Sequence, residues 1–446
     1  MGCPEVKMER TNYDEGDIMY RPKVLVTAPV ATRSGYGARS RDVVRALLAL
    51  DRYDVKVFPV PWGATPQNAL VMDNPDDKMI YDAIIKSDDE MKTQPDVHIH
   101  IVVPNEFQPI GKYNIGITAG LETTVIPQDW IEGCNRMDLV LASSKFSADV
   151  MNQTVYKNDQ NQELRIQKKV DTLFEGANVN LFNRKKSGDE YSKPLVDALE
   201  QVETNWNFLF VGHWLQGDLG KDRKDVGNLV RTFFTAFRGN KSTGLILKTS
   251  GATPCIMDRE EMLRKIREVK ITSGIPDADL PNVYLLHADL YDEEVNDLYN
   301  HPKVKAHITF THGEGFGRPL LEASLSGKPV IAPNWSGHVD FLNDKNAILL
   351  PGGLVKVEKG SLQDNIWVEG QQWYQVDYRA AAQKMLHVRK NLKVYKNKGM
   401  KLMLYNKSKF SFDSMVSRLG QVLDNNLPAF TQTVVPNINL PKLEAV

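Results

Sequence analysis

Long apolar runs and cysteines are both scarce in this sequence. No apolar stretch approaches the roughly 20 residues of a membrane-spanning helix. The three cysteines, Cys3, Cys134 and Cys255, are scattered, odd in number and without the spacing of metal ligands, which is typical of a reducing compartment. Residues 1–10 are polar and charged, so they do not have the pattern of a secretory signal. We predict a cytoplasmic protein that does not span a membrane.

The chain also lacks a strong net charge. Its 55 Lys and Arg residues and 56 Asp and Glu residues leave a formal charge of −1, so no global attraction to nucleic acid or to an anionic membrane is expected. Residues 393–409 are a local exception, because they are basic and include Tyr395 and Tyr405. That composition is compatible with a nucleic-acid-binding surface, but a solvated helix face also has it.

Strand-like apolar runs alternate with helix-like patterns along the chain, which predicts mostly parallel sheets. At 446 residues the chain is long enough for two or three domains. The polar stretch 183–205 is predicted to be the linker between two of these domains. The predicted strands lie near residues 24–30, 55–60, 96–103, 114–120, 139–143, 207–213, 245–249, 283–287 and 306–310.

Five further segments have patterns of their own. Residues 1–20 are polar and predict an arm, whereas 351–376 predict a long loop or an extra hairpin. Residues 378–390 predict a helix. A last helix is predicted at 415–423, and the proline-containing tail that follows from Leu427 is expected to lie along the surface.

The most informative stretch is 311–323, with the sequence THGEGFGRPLLEA. The apolar run before it predicts a buried strand, and Pro319 suits the first turn of the helix after it. The glycines between them, including Gly315 and Gly317, allow a tight turn with close backbone approach. A strand, a glycine loop and a helix start together predict an anion site with free amides directed at a phosphate.

Two carboxylates flank this predicted anion site. Glu314 lies in the loop, and Glu322 lies one turn into the helix, with its side chain leaning back towards the helix start. A carboxylate accepts hydrogen bonds and donates none. An anion site beside two such groups suits a ligand with both phosphates and hydroxyls, and a nucleotide sugar is a ligand of this kind.

Glu314 and Glu322, separated by Gly315-Phe316-Gly317 and the helix start, resemble the paired-glutamate motif of the family 4 retaining glycosyltransferases. The residues 327–332 and 337–338 are similar to the next strand and turn of that family, and some virus-encoded transferases look similar too. The resemblance is specific from about residue 306 to 341. It implies the GT-B fold, an α/β architecture of two Rossmann-like domains whose parallel sheets face a cleft.

The resemblance also implies a domain organisation. Residues 1–190 are expected to form the acceptor domain and residues 200–405 the nucleotide-sugar donor domain. Residues 406–446 are expected to form the C-terminal helix and tail that cross back to the first domain.

Roles for individual residues follow from the same resemblance. Glu314 is expected to contact hydroxyls of the donor sugar, and Glu322 the ribose. The amides of Gly315, Phe316 and Gly317 and a basic residue are expected to hold the diphosphate. Lys224 best matches the basic position and Arg223 is adjacent to it, so Glu314, Lys224 and Arg223 are the predicted catalytic residues. The family usually has a further basic residue soon after the preceding strand, where this chain has His213 and Trp214.

Five further residues are candidate ligand contacts. Gly35 and Gly37 follow the first strand and are expected to face the cleft, although a plain strand-to-helix turn also explains them. The backbone near His287 is the expected site of the nucleotide base. Glu122 follows the carboxyl end of a strand, where it either contacts the acceptor or caps a helix. Arg318 is unusual for the family and adds a phosphate or acceptor contact, or is a surface arginine.

No metal site is predicted. His98 and His100 point to the same face of a strand but have no third ligand nearby. The triplet Asp277-Ala278-Asp279 is bounded by glycine and prolines and is predicted to be a turn, not a metal-binding motif. We therefore expect no cofactor apart from the nucleotide diphosphate sugar, which is a co-substrate.

Together these implications predict a metal-independent, retaining hexosyl- or pentosyltransferase. The sequence does not identify the nucleotide, the sugar, the oligomeric state or the acceptor, which is a glycan, a small molecule or a modified DNA base in a viral setting. Two other classes remain open. One is a GT-B nucleotide-sugar epimerase, and the other is a non-catalytic subunit that binds a nucleotide or a glycan.

Overall fold

The computed structural model describes residues 20–63, 65–87, 93–215, 217, 219–251, 255–362 and 366–431. The predicted N-terminal arm lies outside these residues except for Tyr20, and so does the tail beyond residue 431. Within the described ranges no helix is both long and apolar enough to cross a membrane.

The first half of the chain forms one six-stranded sheet and a small hairpin. Its strands are Lys23–Ala28 (β1), Asp54–Pro59 (β2), Val97–Ile101 (β3), Tyr113–Ile117 (β4), Leu139–Ala142 (β5), Tyr156–Lys157 (β6), Glu163–Leu164 (β7) and Lys169–Thr172 (β8). The sheet order is β2-β1-β3-β4-β5-β8, with every pair parallel. The antiparallel pair β6–β7 is separate from this sheet.

Among the residues that the structure describes, the α-helices between these strands are Gly35–Leu50 (α1), Pro75–Ala83 (α2), Gln128–Asn135 (α3) and Lys145–Gln153 (α4). The central strands β1, β3, β4 and β5 are almost continuously buried, as expected where helices cover both faces of a parallel sheet. Val26 and Ile99, for example, pack in one buried cluster with Val43 and Leu47 of α1. Helix α1 already includes Gly35 and Gly37, which the sequence favoured as a turn before the helix, because Ser34 caps it.

The second half repeats this arrangement. Its strands are Asn207–Val211 (β9), Gly244–Lys248 (β10), Asn282–Leu286 (β11), Val304–Ile308 (β12), Val330–Pro333 (β13), Ile348–Leu350 (β14), Gly352–Lys356 (β15) and Gln372–Val376 (β16). The first six form a parallel sheet in the order β11-β10-β9-β12-β13-β14. The antiparallel pair β15–β16 confirms the predicted extra hairpin.

The remaining helices are Lys193–Glu200 (α5), Val226–Ala236 (α6), Ile256–Ser273 (α7), Asp292–Asn300 (α8), Arg318–Ser324 (α9), Tyr378–Lys390 (α10), Leu392–Lys409 (α11) and Phe412–Asn426 (α12). Helix α10 has the predicted bounds. Helix α5 lies in the segment predicted to be a linker, and its Leu195 and Leu199 pack against the second sheet. Residues 393–409 are helical, with Tyr395, Gly399, Leu402 and Asn406 buried along one face.

The C-terminal helix returns to the first sheet, as predicted. The buried side chains Met415, Leu419, Val422 and Leu423 of α12 belong to the same apolar cluster as the strands of the first sheet. Backbone hydrogen bonds at Ala177 fix its start: Ala177 N donates to Phe410 O over 2.9 Å, and Phe412 N donates to Ala177 O over 2.8 Å.

Candidate functional site

The two sheets turn the carboxyl ends of their strands towards one another, and the loops that follow these ends touch. Arg33 follows β1 and pairs with Asp289, which follows β11, at 3.1 Å. Lys145 follows β5, and its amide donates to the carboxylate of Asp340 over 2.8 Å. The cleft between the domains is therefore bounded by strand-end loops, where open α/β sheets bind ligands.

The glycine loop after β12 lies directly against a backbone loop of the first domain. A side chain at Gly315 would bring its Cβ to 2.2 Å from Ala119 O, and one at Gly313 would reach 2.5 Å from Glu122 O. Gly317 has a φ of 96°, a left-handed conformation that favours glycine. At Gly313 and Gly315 the close approach that the sequence predicts is thus an approach to another backbone.

Glu314 meets both predicted basic residues. Its carboxylate forms a short ion pair with Lys224 and lies 3.3 Å from Nη1 of Arg223. Burial alone would raise the pKa of Glu314, but the charges of Lys224 and Arg223 outweigh burial and lower the pKa to about 2. Glu314 is therefore an ionised hydrogen-bond acceptor at neutral pH.

The backbone of Glu314 is held from the opposite side by the turn after β13. Glu314 N donates to Ser336 Oγ over 2.9 Å, and Gly337 N donates to Glu314 O over 2.9 Å. No sequence pattern singled out Ser336, whose φ of 75° is unusual for a residue other than glycine. Its hydroxyl and this turn orient the predicted catalytic glutamate.

Glu122 joins the same group of charges from the first domain. Its carboxylate lies 3.4 Å from Nη1 of Arg223, so that one guanidinium contacts both Glu122 and Glu314. Burial raises the pKa of Glu122, and Arg223 opposes this shift. The helix-cap alternative is wrong, because α3 begins after Pro127 and has no side-chain cap.

Glu322 is held by Arg318, and Arg318 is held in turn by the first domain. Nε of Arg318 donates to the Glu322 carboxylate over 2.9 Å, and its Nη1 forms a short ion pair with Asp42 of α1. Burial raises the pKa of Glu322 to about 7, and Arg318 only partly opposes this. Arg318 is partly buried and pairs with carboxylates of both domains, so the surface-arginine alternative is wrong, whereas a contact with phosphate or acceptor stays a prediction. Asp42 was not singled out from the sequence.

Three of the predicted donor contacts have structural tasks. The amide of Gly37 donates to Ser34 Oγ over 2.9 Å, so it is not free for a phosphate, and a Cβ there would meet Thr32 O at 2.2 Å. Gly37 therefore lies in the capped first turn of α1, not in a turn before the helix, whereas Gly35 has open space around it. The imidazole of His287 bonds to Asp258 at 2.7 Å. The ring of Phe316 is buried beside Phe341, so only its amide can serve a ligand.

The hairpin β15–β16 braces the site, a role that the sequence did not suggest. Trp373 stacks on His312 with ring centroids 4.4 Å apart. Tyr374 N donates to His312 O over 2.9 Å, immediately before the glycine loop. At the other end, Thr124 N in the first domain donates to Gln372 O over 2.9 Å. The hairpin thereby connects the loop that carries Glu122 with the loop that carries Glu314.

No protein-family model and no curated protein sequence matches this chain. Solved structures do match it. Anabaena HepE in complex with UDP and glucose aligns with a TM-score of 0.57 at 14% identity, covering 91% of this chain and 100% of that one. Sucrose-phosphate synthase from Thermosynechococcus elongatus aligns with a TM-score of 0.60 at 14% identity, covering 91% and 99%. A glycosyltransferase from Rickettsia africae aligns with a TM-score of 0.57 at 14% identity, covering 92% of this chain and 99% of that one.

The chain has a GT-B fold. It has two Rossmann-like domains with parallel sheets, a cleft between them and a C-terminal helix that returns to the first domain. These are the features that the resemblance implied. At 14% identity these similarities show the fold and do not by themselves assign an activity or a ligand. The assignment of a function to this GT-B cleft therefore depends on its side chains.

The GT-B domains carry no group of three or more His, Cys, Asp or Glu side chains placed to hold a metal ion, as far as the described residues are concerned. Asp277–Asp279 is one turn of 3-10 helix, and the Asp279 carboxylate pairs with Arg238 at 3.0 Å, which confirms the predicted turn. His98 bonds to Thr27 at 3.0 Å, and the amide of Gln108 donates to His100 over 3.1 Å. Burial lowers the pKa of both histidines to about 4.

Proposed function

We propose that this protein transfers a glycosyl group from a nucleotide diphosphate sugar to an acceptor, with retention of configuration. One observation carries the proposal: Glu314, Lys224 and Arg223 meet in the GT-B cleft, with Glu122 of the other domain against the same arginine. The choice of donor is supported by the similar fold of Anabaena HepE, which was solved with UDP and glucose.

The charges suit the departure of a nucleotide diphosphate. As the bond between the sugar and the phosphate breaks, negative charge grows on the phosphate and positive charge grows on the sugar. Lys224 and Arg223 are preorganised cations for the first charge. Glu314, whose pKa is about 2, stays ionised and accepts hydrogen bonds from sugar hydroxyls close to the second. It cannot serve as a general acid at neutral pH.

The proposed retention comes from attack by the acceptor on the face from which the diphosphate leaves. Both carboxylates near the reacting centre are engaged by cations, so neither is assigned as a covalent nucleophile. Glu122 lies on the first-domain side of Arg223 and is assigned to orient the acceptor. The leaving phosphate is assigned to accept the proton of the acceptor hydroxyl.

We further propose that transfer needs no metal ion, because protein cations neutralise the diphosphate. A panel of UDP-, GDP- and ADP-sugars, incubated with cell lysate as the acceptor source and analysed by mass spectrometry, tests the activity. An identical incubation with EDTA tests the metal. We expect a transferred sugar, release of the nucleoside diphosphate and undiminished turnover in EDTA, with Glu314→Gln as the matched control of reduced turnover. NMR of the product's anomeric proton tests retention.

The same incubations distinguish the other functions. An epimerase would convert the sugar without any acceptor, and a non-catalytic subunit would bind the nucleotide sugar and leave it intact. Complete loss of turnover in EDTA, restored by manganese, would contradict metal independence and would indicate that acidic residues hold a metal ion.

A further inference from the structure

The two basic residues assigned to the diphosphate are already balanced by carboxylates. Lys224 pairs with Glu314, and Arg223 contacts both Glu314 and Glu122. Two cations and two anions leave this group of four without net charge. A nucleoside diphosphate brings several negative charges into a cleft where charges are poorly screened, so a further cation is needed beside it.

Lys248 adjoins the position after β9 at which the resemblance leads us to expect an additional basic residue. It is the last residue of β10 and is in register with Val211, the last residue of β9. Gly212 N donates to Lys248 O over 3.1 Å, so Lys248 adjoins the turn that leads to His213. The chain thus has no cation immediately after β9, but it has one at the end of the neighbouring strand β10.

The side chain of Lys248 lies on the face of the second sheet that packs against α9. Side chains alternate along a strand, so Lys248 shares a face with Ile246. Ile246 is buried in one cluster with Phe316 and Leu320, which belong to the glycine loop and to α9. Lys248 therefore extends beyond that cluster on the side of the sheet that carries Glu322.

The ammonium of Lys248 has no hydrogen bond or ion pair with any residue that the structure describes. It is nevertheless partly buried, and burial lowers the pKa of Lys248 while the charge of Asp289 opposes this. Asp289 is itself paired with Arg33 at 3.1 Å. A partly buried cation without a partner costs free energy unless an anion joins it.

His213 lies near enough to Lys248, and also to Lys224 and Arg223, for the charges of all three to affect it. Burial lowers the pKa of His213, and the charges of Lys224, Lys248 and Arg223 lower it further. The imidazole is therefore neutral at physiological pH and cannot supply the missing positive charge. The charges of Lys248, at the end of β10, and of Lys224 and Arg223, in the loop after β9, thus act on the same ring.

We propose that Lys248 is the third cation of the donor site and binds a phosphate of the nucleoside diphosphate. The proposal rests on the donor site assigned under the proposed function. Of the three cations, Lys248 is the one that forms no ion pair with a described carboxylate. Its charge also accounts for the presence of the neutral His213 after β9, where a basic residue is expected.

Calorimetry with UDP, GDP and ADP and with their nucleosides tests the proposal. Lys248→Met keeps the apolar stem and removes the charge. We expect it to weaken binding of the preferred diphosphate by roughly ten- to hundredfold, as for the loss of a charge-assisted hydrogen bond, and to leave nucleoside binding unchanged. Lys248→Arg should retain most of the affinity because it keeps the charge.

Lys305→Met is the matched control, because Lys305 is a partly buried strand lysine near the opposite end of the second sheet, with Pro302 O as its partner. It should bind both ligands like the wild type. If Lys248→Met does not fold, Lys248→Gln replaces it. Unchanged diphosphate affinity, or an equal loss for the nucleoside, would overturn the proposal. If the wild type binds none of the three diphosphates, the proposed function fails, and this role of Lys248 fails with it.

Discussion

Glu314 and Glu322 are almost equally buried, with 7% and 8% of their surfaces exposed, yet their pKa values move in opposite directions. Two cations, Lys224 and Arg223, contact Glu314 and outweigh its burial. Glu322 has the single cation Arg318, which it shares with Asp42. The same residue type therefore acquires two electrostatic states from its neighbours, and this allows two different roles.

Glutamine substitutions of the two glutamates should have different effects on nucleotide affinity and turnover. Glu322 is assigned to the ribose, a part of the donor that the reaction does not change, so Glu322→Gln should weaken the nucleoside diphosphate and the intact donor alike. Glu314 is assigned to the sugar, where interactions strengthen in the transition state. Glu314→Gln should cut turnover by about tenfold or more and leave nucleotide affinity nearly intact. Calorimetry and steady-state kinetics on both variants measure this.

A reversed pattern, with nucleotide affinity lost in Glu314→Gln and kept in Glu322→Gln, would exchange the two assignments. If neither variant changed binding or turnover, the paired glutamates would have only a structural role.

Nucleoside affinity should rise with pH around neutrality. The pKa of Glu322 is raised to about 7 by burial, so this carboxyl is largely protonated below that pH and ionised above it. An ionised carboxylate accepts hydrogen bonds from ribose hydroxyls more strongly than a neutral carboxyl does, by about 1 kcal/mol, so roughly fivefold tighter binding is expected between about pH 6 and pH 8. A nucleoside is the appropriate probe because it carries no titrating phosphate.

Glu322→Gln provides the control for this pH dependence, since an amide does not titrate. Its nucleoside affinity should be flat over the same range. A dependence that persisted unchanged in Glu322→Gln would assign the titration to another group.

At the scale of elements, α12 is a helix of the first domain although it follows the second in sequence. Its buried side chains pack with the strands of the first sheet and with α1. Leu419→Ala removes a fully buried side chain from this interface and should lower the free energy of unfolding of the first domain by about 2–5 kcal/mol. Denaturant titration followed by hydrogen exchange of peptides from the first sheet measures the loss.

Leu404→Ala is the matched control, because this leucine of α11 is 62% exposed. It should change the free energy of unfolding by less than about 0.5 kcal/mol. Equal destabilisation by the two substitutions would show that α12 does not anchor the first domain.

At the scale of the whole molecule, backbone contact between the domains at the glycine loop sets the geometry of the cleft. A methyl group at Gly313 would lie 2.5 Å from Glu122 O and 2.9 Å from its Cα, and these backbone atoms cannot rotate away as a side chain can. Gly313→Ala should therefore move the loop 119–125 away from the glycine loop. We expect faster hydrogen exchange in that loop and reduced transfer, with both domains still folded.

Gly353→Ala is the comparison, since nothing lies within 4 Å of a Cβ at that position in β15. Its exchange and activity should match those of the wild type. Unchanged exchange at residues 119–125 in Gly313→Ala would contradict the proposed contact between the domains.

The elements that local patterns could reveal were largely predicted. Long helices with clear caps and periodicity, such as α10, were placed with their bounds, and the parallel strands were recognised from their apolar runs. Helix α5 was missed because only a few apolar residues mark it in a polar stretch. The first turn of α1 was missed because Gly35 and Gly37 have the composition of a loop, and the cap at Ser34 compensates for them.

By itself, the sequence determined that parallel sheets form and that a glycine loop with two glutamates joins a strand to a helix. These features depend on periodicity and backbone sterics within a few residues. Only the tertiary structure decided which charges meet. Arg318 pairs with Asp42, 276 positions away, and Arg223 contacts Glu122 in the other domain. Such pairs depend on how two folded domains face each other, and electrostatic energies then depend on burial and distance, which no local pattern encodes.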